Sequence, residues 1–284
     1  MKIGVQTGFS GATSPELIAE FGRIVEERGF HSIWVPEHVV FFRDYDSRYP
    51  YADDGRLPGD PDGVMEPLTA LTFLAAHTER VRLGTGVLLA PQRNPLYTAK
   101  QAADVDYLSK GRLDLGIGIG WLREEFDALG IPWARRAHRT RECIAVMKTL
   151  WCDEVSSFEG EFFALPPCLQ NPKPVQQPHP PLYFGGESEP ALRRVAELGQ
   201  GWFGYNLTPE AFDANMVRLV ELLAEAGRSR PDVQIQVTPH RDSPEDALDH
   251  FRDAGVDQVV LPLFARDADT LARRADALAK RVMP

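Results

Sequence analysis

The sequence has little of what marks secreted, membrane-spanning or nucleic-acid-binding proteins. Only three of its 284 residues are cysteine and they form no CxxC pair, so we expect neither a disulfide framework nor a cysteine-based metal site. No apolar run approaches the roughly 18 residues of a membrane span, and the first residues do not resemble a signal peptide. The 31 basic residues are fewer than the 41 acidic ones, which argues against non-specific nucleic-acid binding. We expect a cytoplasmic protein without membrane or nucleic-acid partners.

Several common catalytic motifs are also absent from the sequence. It has no Walker A, GxSxG or HExxH motif and no cluster of His, Cys and Asp with metal-ligand spacing, so no bound metal is expected. The run Leu115–Gly120 carries a glycine at every second position, which does not fit the GxGxxG spacing of dinucleotide-binding proteins. The sequence therefore predicts none of these classes.

The sequence does contain a regular alternation of β-rich runs and stretches with helical periodicity. Strands are predicted at Ile3–Gly8, Ser32–Pro36, Val81–Val87, Leu113–Ile119, Leu182–Phe184, Gly201–Tyr205, Val233–Thr238 and Gln258–Leu261. Helices are predicted after them, at about residues 15–28, 67–77, 95–108, 135–151, 189–198, 209–226, 244–254 and 268–281. Eight βα units predict a (β/α)8 TIM barrel, an α/β fold, formed by one domain of residues 1–284.

Residues typical of helix ends support this count. Three helices are predicted to begin with a capping hydroxyl, a proline and an acid, at Ser14-Pro15-Glu16, Thr208-Pro209-Glu210 and Ser243-Pro244-Glu245. The corresponding ends are predicted at Gly29, Gly227 and Gly255.

Two connections are longer than the barrel needs. Val39–Met65 follows the second strand and Cys152–Pro181 precedes the fifth, and insertions of this length are usually lids or binding elements. Because Val39–Met65 follows a strand, it belongs to the catalytic face of the barrel. We expect both segments to determine the substrate, and Val39–Met65 to be the most mobile part of the ligand-free protein.

Two glycine motifs are candidates for ligand binding. Gly116, Gly118 and Gly120 would share one face of the fourth strand, and a bare face lets a flat or phosphorylated ligand approach the backbone. Tight packing inside the barrel is the alternative. Gly185-Gly186-Glu187-Ser188 precedes a helix, where exposed N–H groups and the hydroxyl of Ser188 suit an anion. The alternative there is a plain turn with Ser188 as the helix cap.

His38 is the histidine best placed for catalysis. It ends the second strand, where a barrel presents side chains to its catalytic mouth, and an imidazole can move protons near neutral pH. A histidine in a surface loop is the alternative. His240 and Arg241 follow the seventh strand and are weaker candidates for the mouth.

In this combination the chain resembles the bacterial luciferase-like superfamily of flavin and deazaflavin oxidoreductases, and within it the branch that uses coenzyme F420. The matching residues run through the whole chain, at Gly29–His38, Thr78–Val87, Leu108–Gly118, Gly120–Phe126, Gly185–Ser188 and Gly199–Trp202. The resemblance implies a TIM barrel with a tricyclic cofactor across the C-terminal mouth of its strands.

The resemblance also assigns roles to individual positions. Glu37 and His38 are the implied catalytic residues, beside the reactive part of the ring. The implied cofactor-binding residues are Gly86, Val87, Gly118, Gly120, Gly185, Gly186 and Ser188. A non-prolyl cis peptide between Gly86 and Val87 is implied to support the ring. Some relatives that oxidise sugar phosphates have a carboxylate where Trp121 stands, so that substrate class is not expected here.

These observations lead to one expected function and two alternatives. We expect an oxidoreductase that transfers a hydride between C5 of coenzyme F420 and a small organic substrate, with His38 handling the proton. A reduced-FMN-dependent monooxygenase of the same superfamily is the alternative, and a non-catalytic flavin-binding barrel is the third possibility. The expected partners are a small-molecule substrate and, in a homodimer, a second copy of the chain.

Overall fold

The (β/α)8 barrel predicted from the sequence is confirmed in the structure, a computed structural model that describes residues 1–58, 63–244 and 246–283. Eight parallel strands close into a barrel in the order β1-β10-β9-β8-β7-β4-β3-β2. These strands are β1 (Lys2–Gln6), β2 (Ser32–Val35), β3 (Arg82–Leu89), β4 (Leu113–Gly118), β7 (Leu182–Gly185), β8 (Gly201–Leu207), β9 (Gln234–Pro239) and β10 (Gln258–Pro262). Each barrel strand therefore lies beside the next one in the chain.

Nine helices surround the barrel in the part of the chain that the structure describes. They are α1 (Pro15–Glu27), α2 (Pro67–Ala76), α3 (Pro95–Leu108), α4 (Arg123–Ala128), α5 (Arg136–Cys152), α6 (Glu189–Leu198), α7 (Pro209–Glu225), α8 (Ala247–Asp253) and α9 (Ala268–Val282). Short 3-10 turns lie at Ala90–Gln92 and Arg230–Asp232. The sequence pattern did not predict α4, because six residues are too few to establish a helical period.

Two of the three predicted helix caps are confirmed. The hydroxyl of Ser14 accepts from the N–H of Leu17 at 3.2 Å, and that of Thr208 accepts from the N–H of Ala211 at 3.3 Å. The third prediction is wrong, because the N–H of Ser243 donates to the carbonyl of His240 and closes a turn after β9. The helix α8 then begins only at Ala247. Glu245 lies outside the described residues.

The second long segment contains a hairpin that the sequence did not predict. Strands β5 (Ser156–Glu159) and β6 (Ala164–Cys168) pair antiparallel outside the barrel. Leu165 of this hairpin is buried in the main core, and Phe158 and Phe163 pack against it. The hairpin thus covers apolar surface on the helical layer.

The core has two parts, as the alternation of side chains along a strand requires. On β2, Ile33 and Val35 point outward into the large core between strands and helices. Trp34 points inward, where it packs with Tyr183, Phe203 and Val260. This small inner cluster is the floor below the mouth.

The amino-terminal end of the barrel is closed by paired polar groups. Arg82 at the start of β3 donates to the carboxylate of Asp114, with Nε 2.7 Å from Oδ2. Gln176 from the segment before β7 donates from its backbone N–H and its Nε2 to the fully buried carboxylate of Asp106, at 3.0 and 2.7 Å. Among the described residues, no helix has the length and apolar character to cross a membrane.

Candidate active site at the barrel mouth

His38 lies at the mouth of the barrel, three residues beyond the end of β2. Its ring centroid is 4.8 Å from that of Phe41 and 5.7 Å from that of Trp121, which follows β4. Its side chain is 10% exposed. The buried Nδ1 lies 3.3 Å from Oε2 of Glu125, within ion-pair range but at an angle that does not make a hydrogen bond. The structure therefore places this imidazole where the sequence predicted it, against a carboxylate that the sequence did not predict.

Two adjacent glutamates of α4 hold the segment that follows His38. Oε1 of Glu125 accepts from the N–H groups of Val39 and Val40, at 2.7 and 3.3 Å. Oε1 of Glu124 accepts from the N–H groups of Asp46 and Ser47, at 2.7 and 3.1 Å. Each glutamate thus binds one stretch of the loop to the end of β4.

Glu37 has a different environment from its neighbour. It is 4% exposed, forms an ion pair with Arg93, and accepts from the N–H of Leu89 at the end of β3. Burial raises the pKa of the Glu37 carboxyl, and Arg93 and the N–H of Leu89 offset this only in part. Both oxygens are engaged away from His38, so these contacts fit a residue that fixes the ends of β2 and β3 to each other.

The peptide bond between Gly86 and Val87 is cis, as the resemblance implied. The pairing of β3 with β4 shifts register at this point, between Thr85 and Leu88. The side chain of Val87 packs against the inner cluster and remains partly exposed. Val87 therefore presents its side chain at the mouth.

The bare glycine face predicted for β4 is not present, and tight packing, the alternative, explains these glycines. A Cβ on Gly116 would lie 2.0 Å from the carbonyl oxygen of Thr85, and one on Gly118 would lie 2.5 Å from Cγ2 of Val87. A Cβ on Gly120 would lie 2.6 Å from the ring of Phe126. These glycines make room for Val87 and for α4, so the surface offered to a ligand here is that of Val87.

The second glycine motif forms a turn between β7 and α6. Gly186 has φ +103°, a backbone conformation that only glycine adopts easily, and a Cβ there would lie 3.0 Å from that of Ala191. Ser188 occupies the cap position of α6, but its side chain makes no capping hydrogen bond. The exposed hydroxyl is therefore not committed to the helix, unlike those of Ser14 and Thr208.

The described part of the loop after β2 lies across the mouth. From Trp121, edge-to-face ring contacts continue through Tyr49 and Tyr51 to Tyr205 on β8, with centroids 5.2, 5.6 and 4.9 Å apart. In the barrel order, three strands separate β2 from β8 on either side, so the loop that leaves β2 reaches the opposite side of the mouth at Tyr205. We call residues 39–58 the crossing loop.

The far end of the crossing loop is held by Glu187, which the sequence analysis quoted but gave no role. Its Oε2 accepts from the hydroxyl of Tyr51 at 2.9 Å, and its Oε1 accepts from the N–H of Tyr205 at 2.8 Å. Burial raises the pKa of Glu187, and these two donors offset this only in part. The pKa of the Tyr51 hydroxyl is raised by burial and by the nearby carboxylate, so Tyr51 stays protonated and donates.

His240 and Arg241 are not part of this group of contacts. Nδ1 of His240 accepts from the N–H of Asp242 at 3.1 Å, and Arg241 is largely exposed beside the same aspartate. Both residues serve the turn after β9.

The chain matches the family described as Luciferase-like monooxygenase over residues 1–283. It is 33% identical over 270 residues to an uncharacterized protein of Mycobacterium tuberculosis, covering 93% of each chain. It is 30% identical to the FMNH(2)-dependent dimethylsulfone monooxygenase of Pseudomonas putida, over 66% of this chain and 52% of that protein. It is 28% identical to the F420-dependent glucose-6-phosphate dehydrogenase of Microbacterium testaceum, over 85% of this chain and 70% of that protein.

Solved structures agree with the fold. The monooxygenase RslO1 from Streptomyces bottropensis superposes with a TM-score of 0.78 at 22% identity, over 100% of this chain and 99% of that one. The coenzyme F420 dependent tetrahydromethanopterin reductase from Methanopyrus kandleri gives 0.78 at 18% identity, with the same coverage. At these identities the likeness concerns the fold. With the family match and the 33% identical relative, it confirms the resemblance drawn from the sequence: the chain belongs to the luciferase-like monooxygenase family and is an oxidoreductase of that type.

Proposed function

We propose that this oxidoreductase transfers a hydride between C5 of coenzyme F420 and a small organic substrate at the barrel mouth. The observation that carries a tricyclic cofactor at the mouth is the arrangement of three features around one opening, and the choice of F420 follows the resemblance drawn from the sequence. His38 lies three residues beyond β2, Val87 presents its side chain from β3, and Gly185-Gly186 form the turn at the end of β7. A flat ring with a phosphate on its side chain needs these three elements: a proton-handling group, a supporting surface and an anion site.

The described residues fit such a cofactor. A Cβ on Gly185 would approach Cγ1 of Val87 to 3.2 Å, so glycine there keeps the opening between β7 and Val87 clear. The N-terminus of α6 and the uncommitted hydroxyl of Ser188 suit a phosphate. Val87 would support the ring, beside Gly118 at the end of β4 and Gly120 in the loop that follows. When bound, the cofactor supplies the hydride donor or acceptor at C5.

The chain's own residues supply the proton handling, the positioning and the exclusion of water. His38 accepts or donates the proton that accompanies hydride transfer to or from the substrate. Glu37 accepts from the N–H of Leu89 and pairs with Arg93, which keeps the ends of β2 and β3 and the turn after β3 in place around His38. The crossing loop covers the reacting groups with the rings of Tyr49 and Tyr51.

A reduced-FMN-dependent monooxygenase is the second candidate, and the 30% identity to the dimethylsulfone enzyme favours it. Both cofactors combine a tricyclic ring with a phosphate, so the same three features serve either one. A non-catalytic flavin-binding barrel is less supported, because His38 lies against the carboxylate of Glu125 at the mouth. Fold alone does not decide among these functions.

Parallel binding titrations of the cofactor-free protein with F420 and with reduced FMN under anaerobic conditions test the proposal. We expect F420 to bind more tightly. Binding of reduced FMN without binding of F420, together with oxygen consumption, would replace the proposal with the monooxygenase. Failure of both to bind a folded protein would contradict both.

A matched pair of variants locates the site in the same titrations. Gly185→Val should weaken the binding of whichever cofactor binds, because the added side chain presses on Val87. Gly11→Val is the control, since a Cβ at Gly11 has nothing within 4 Å. Gly186→Val is a poorer test because its positive φ adds backbone strain. Equal affinities of the two variants would remove the glycine turn from the site.

A further inference from the structure

The carboxylate of Glu125 joins the loop after β2 to His38. Its side chain is fully buried in α4, and its two oxygens have separate partners. Oε1 accepts from the N–H groups of Val39 and Val40. Oε2 accepts from Nε2 of Gln92 at 2.9 Å and lies 3.3 Å from Nδ1 of His38. One buried group thus contacts both the imidazole and the backbone that follows it.

The contacts keep this carboxylate ionised. Burial would raise the pKa of Glu125, but the contacts with His38, Gln92 and the N–H of Val39 outweigh it and lower the pKa. An ionised carboxylate only accepts hydrogen bonds, so it favours a proton on the nitrogen that faces it. In an imidazole, a proton on one nitrogen leaves the other with a lone pair.

We infer that Glu125 is a positioning residue for His38, which keeps the proton on Nδ1 and leaves Nε2 to exchange protons at the mouth. Nδ1 makes no hydrogen bond with any residue that the structure describes, and a rotation of the ring toward Oε2 would supply one. Such contacts are often long or poorly aligned before a ligand binds and tighten in the complex. The Phe41 and Trp121 rings beside His38 limit the other directions in which the imidazole can turn.

Because the same carboxylate binds Val39 and Val40, the orientation of His38 depends on how the crossing loop is seated. Its neighbour Glu124 binds only the more distant Asp46 and Ser47 and has no contact with the imidazole. The two adjacent glutamates therefore form a matched pair: Glu125 contacts both His38 and the crossing loop, and Glu124 contacts the crossing loop alone. Glu125→Gln keeps an amide oxygen for the backbone donors and removes the charge that faces Nδ1.

Nitrogen-15 NMR of histidine-labelled, cofactor-free protein, at a pH where the ring is neutral, tests the inference. The chain has seven histidines, and the signals missing from His38→Ala identify those of His38. We expect the Nδ1–H tautomer in the wild type and in Glu124→Gln, and a shift toward Nε2–H in Glu125→Gln. An Nε2–H tautomer in the wild type would overturn the inference, as would identical His38 spectra for the two glutamine variants.

A second measurement separates positioning from loop anchoring. This kinetic measurement rests on the proposed function, whereas the NMR test needs neither cofactor nor substrate. With the substrate in hand, Glu125→Gln should lower kcat by roughly 10- to 100-fold with little change in KM, the loss usual when a carboxylate that orients a metal-binding histidine is removed. A rise in KM with unchanged kcat would assign Glu125 to the loop alone. If no turnover is found for the wild type, the proposed function fails while the tautomer result stands.

Discussion

The two long connections of this barrel differ in composition and in what they do. Residues 39–58 are rich in aromatic side chains, and residues 152–181 are rich in proline. The first crosses the mouth and contacts Trp121, Glu187 and Tyr205. The second lies over α5 and the opposite end of the barrel, where Gln176 reaches Arg82 and Asp106.

The difference in position follows from chain order. A segment that leaves a strand starts at the carboxyl end of the sheet, whereas a segment that enters a strand must finish at the amino end. Cys152–Pro181 enters β7 from the end remote from His38, although the tip of its hairpin contacts Arg135 and Glu142 near the start of α5. That both segments determine the substrate therefore stays a prediction. The described part of the crossing loop contacts His38 directly, through Phe41.

The largest effect should come from the mouth, in the variant His38→Ala. If His38 acts as a general acid or base, turnover should fall by roughly 10²- to 10⁴-fold, while cofactor affinity and unfolding temperature stay close to those of the wild type. Steady-state kinetics, cofactor titration and thermal unfolding on the same preparation measure this. If the variant unfolds more readily but has normal activity per folded molecule, His38 has a structural role. The mouth and the opposite end of the barrel would then not differ in function at this residue.

At the opposite end, Gln176→Ala should affect stability alone. It removes the side-chain donor Nε2 from the buried carboxylate of Asp106 and the oxygen that faces Arg82 at 3.0 Å, and it keeps the backbone N–H that also donates to Asp106. Loss of one hydrogen bond to a buried charged group should lower the free energy of unfolding by about 2 kcal/mol, measured by urea denaturation. Cofactor affinity should not change. A variant with lowered affinity and wild-type stability would break the distinction between the two segments.

A smaller effect is expected where the crossing loop is fastened. Tyr51→Phe removes the hydrogen bond to Glu187, which should favour opening by about 1 kcal/mol, or roughly fivefold in the open population. Amide exchange of residues 39–58 and the rate of cofactor association should both increase by about that factor. Tyr45→Phe loses a bond within the loop, from the N–H of Leu57, and serves as the control. Identical exchange in wild type and Tyr51→Phe would mean that Glu187 does not hold the loop closed.

The barrel was predictable from the sequence because the patterns that indicate its strands and helices lie within short stretches of the chain. Alternating β and helical periods identified all eight barrel strands, and Gly29, Gly227 and Gly255 each have the positive φ expected of a helix end. The β5–β6 hairpin was missed because its strands are short and its apolar residues, such as Phe158, serve the surface of a helix layer rather than a sheet. The helix α4 is shorter than two turns and carries no period.

The site was less predictable because its contacts are tertiary. The position of His38 follows from the end of β2, but the carboxylate that faces it comes from α4, 87 positions later. In the sequence, Glu124 and Glu125 look like two solvent-exposed acids in the first turn of a helix. The structure shows that one oxygen of each accepts hydrogen bonds from backbone N–H groups of the crossing loop. The face of Gly116 and Gly118 was misinterpreted because the side chain that fills it, Val87, belongs to a neighbouring strand.

The smallest predicted effects come from two helix caps that look alike in the sequence. Ser14 and Ser188 both precede helices, but only Ser14 bonds its helix, through the N–H of Leu17. Ser14→Ala should therefore lower the free energy of unfolding by about 1 kcal/mol without changing cofactor affinity.

Ser188→Ala should leave stability unchanged, because no capping bond is lost. If its hydroxyl binds the cofactor phosphate, affinity should fall about fivefold, for a loss of about 1 kcal/mol. Chemical denaturation measures the free energy of unfolding of each variant, and cofactor titration measures its affinity. A Ser188→Ala protein that loses stability and keeps its cofactor affinity would show that Ser188 caps the helix and that its hydroxyl does not bind the cofactor phosphate.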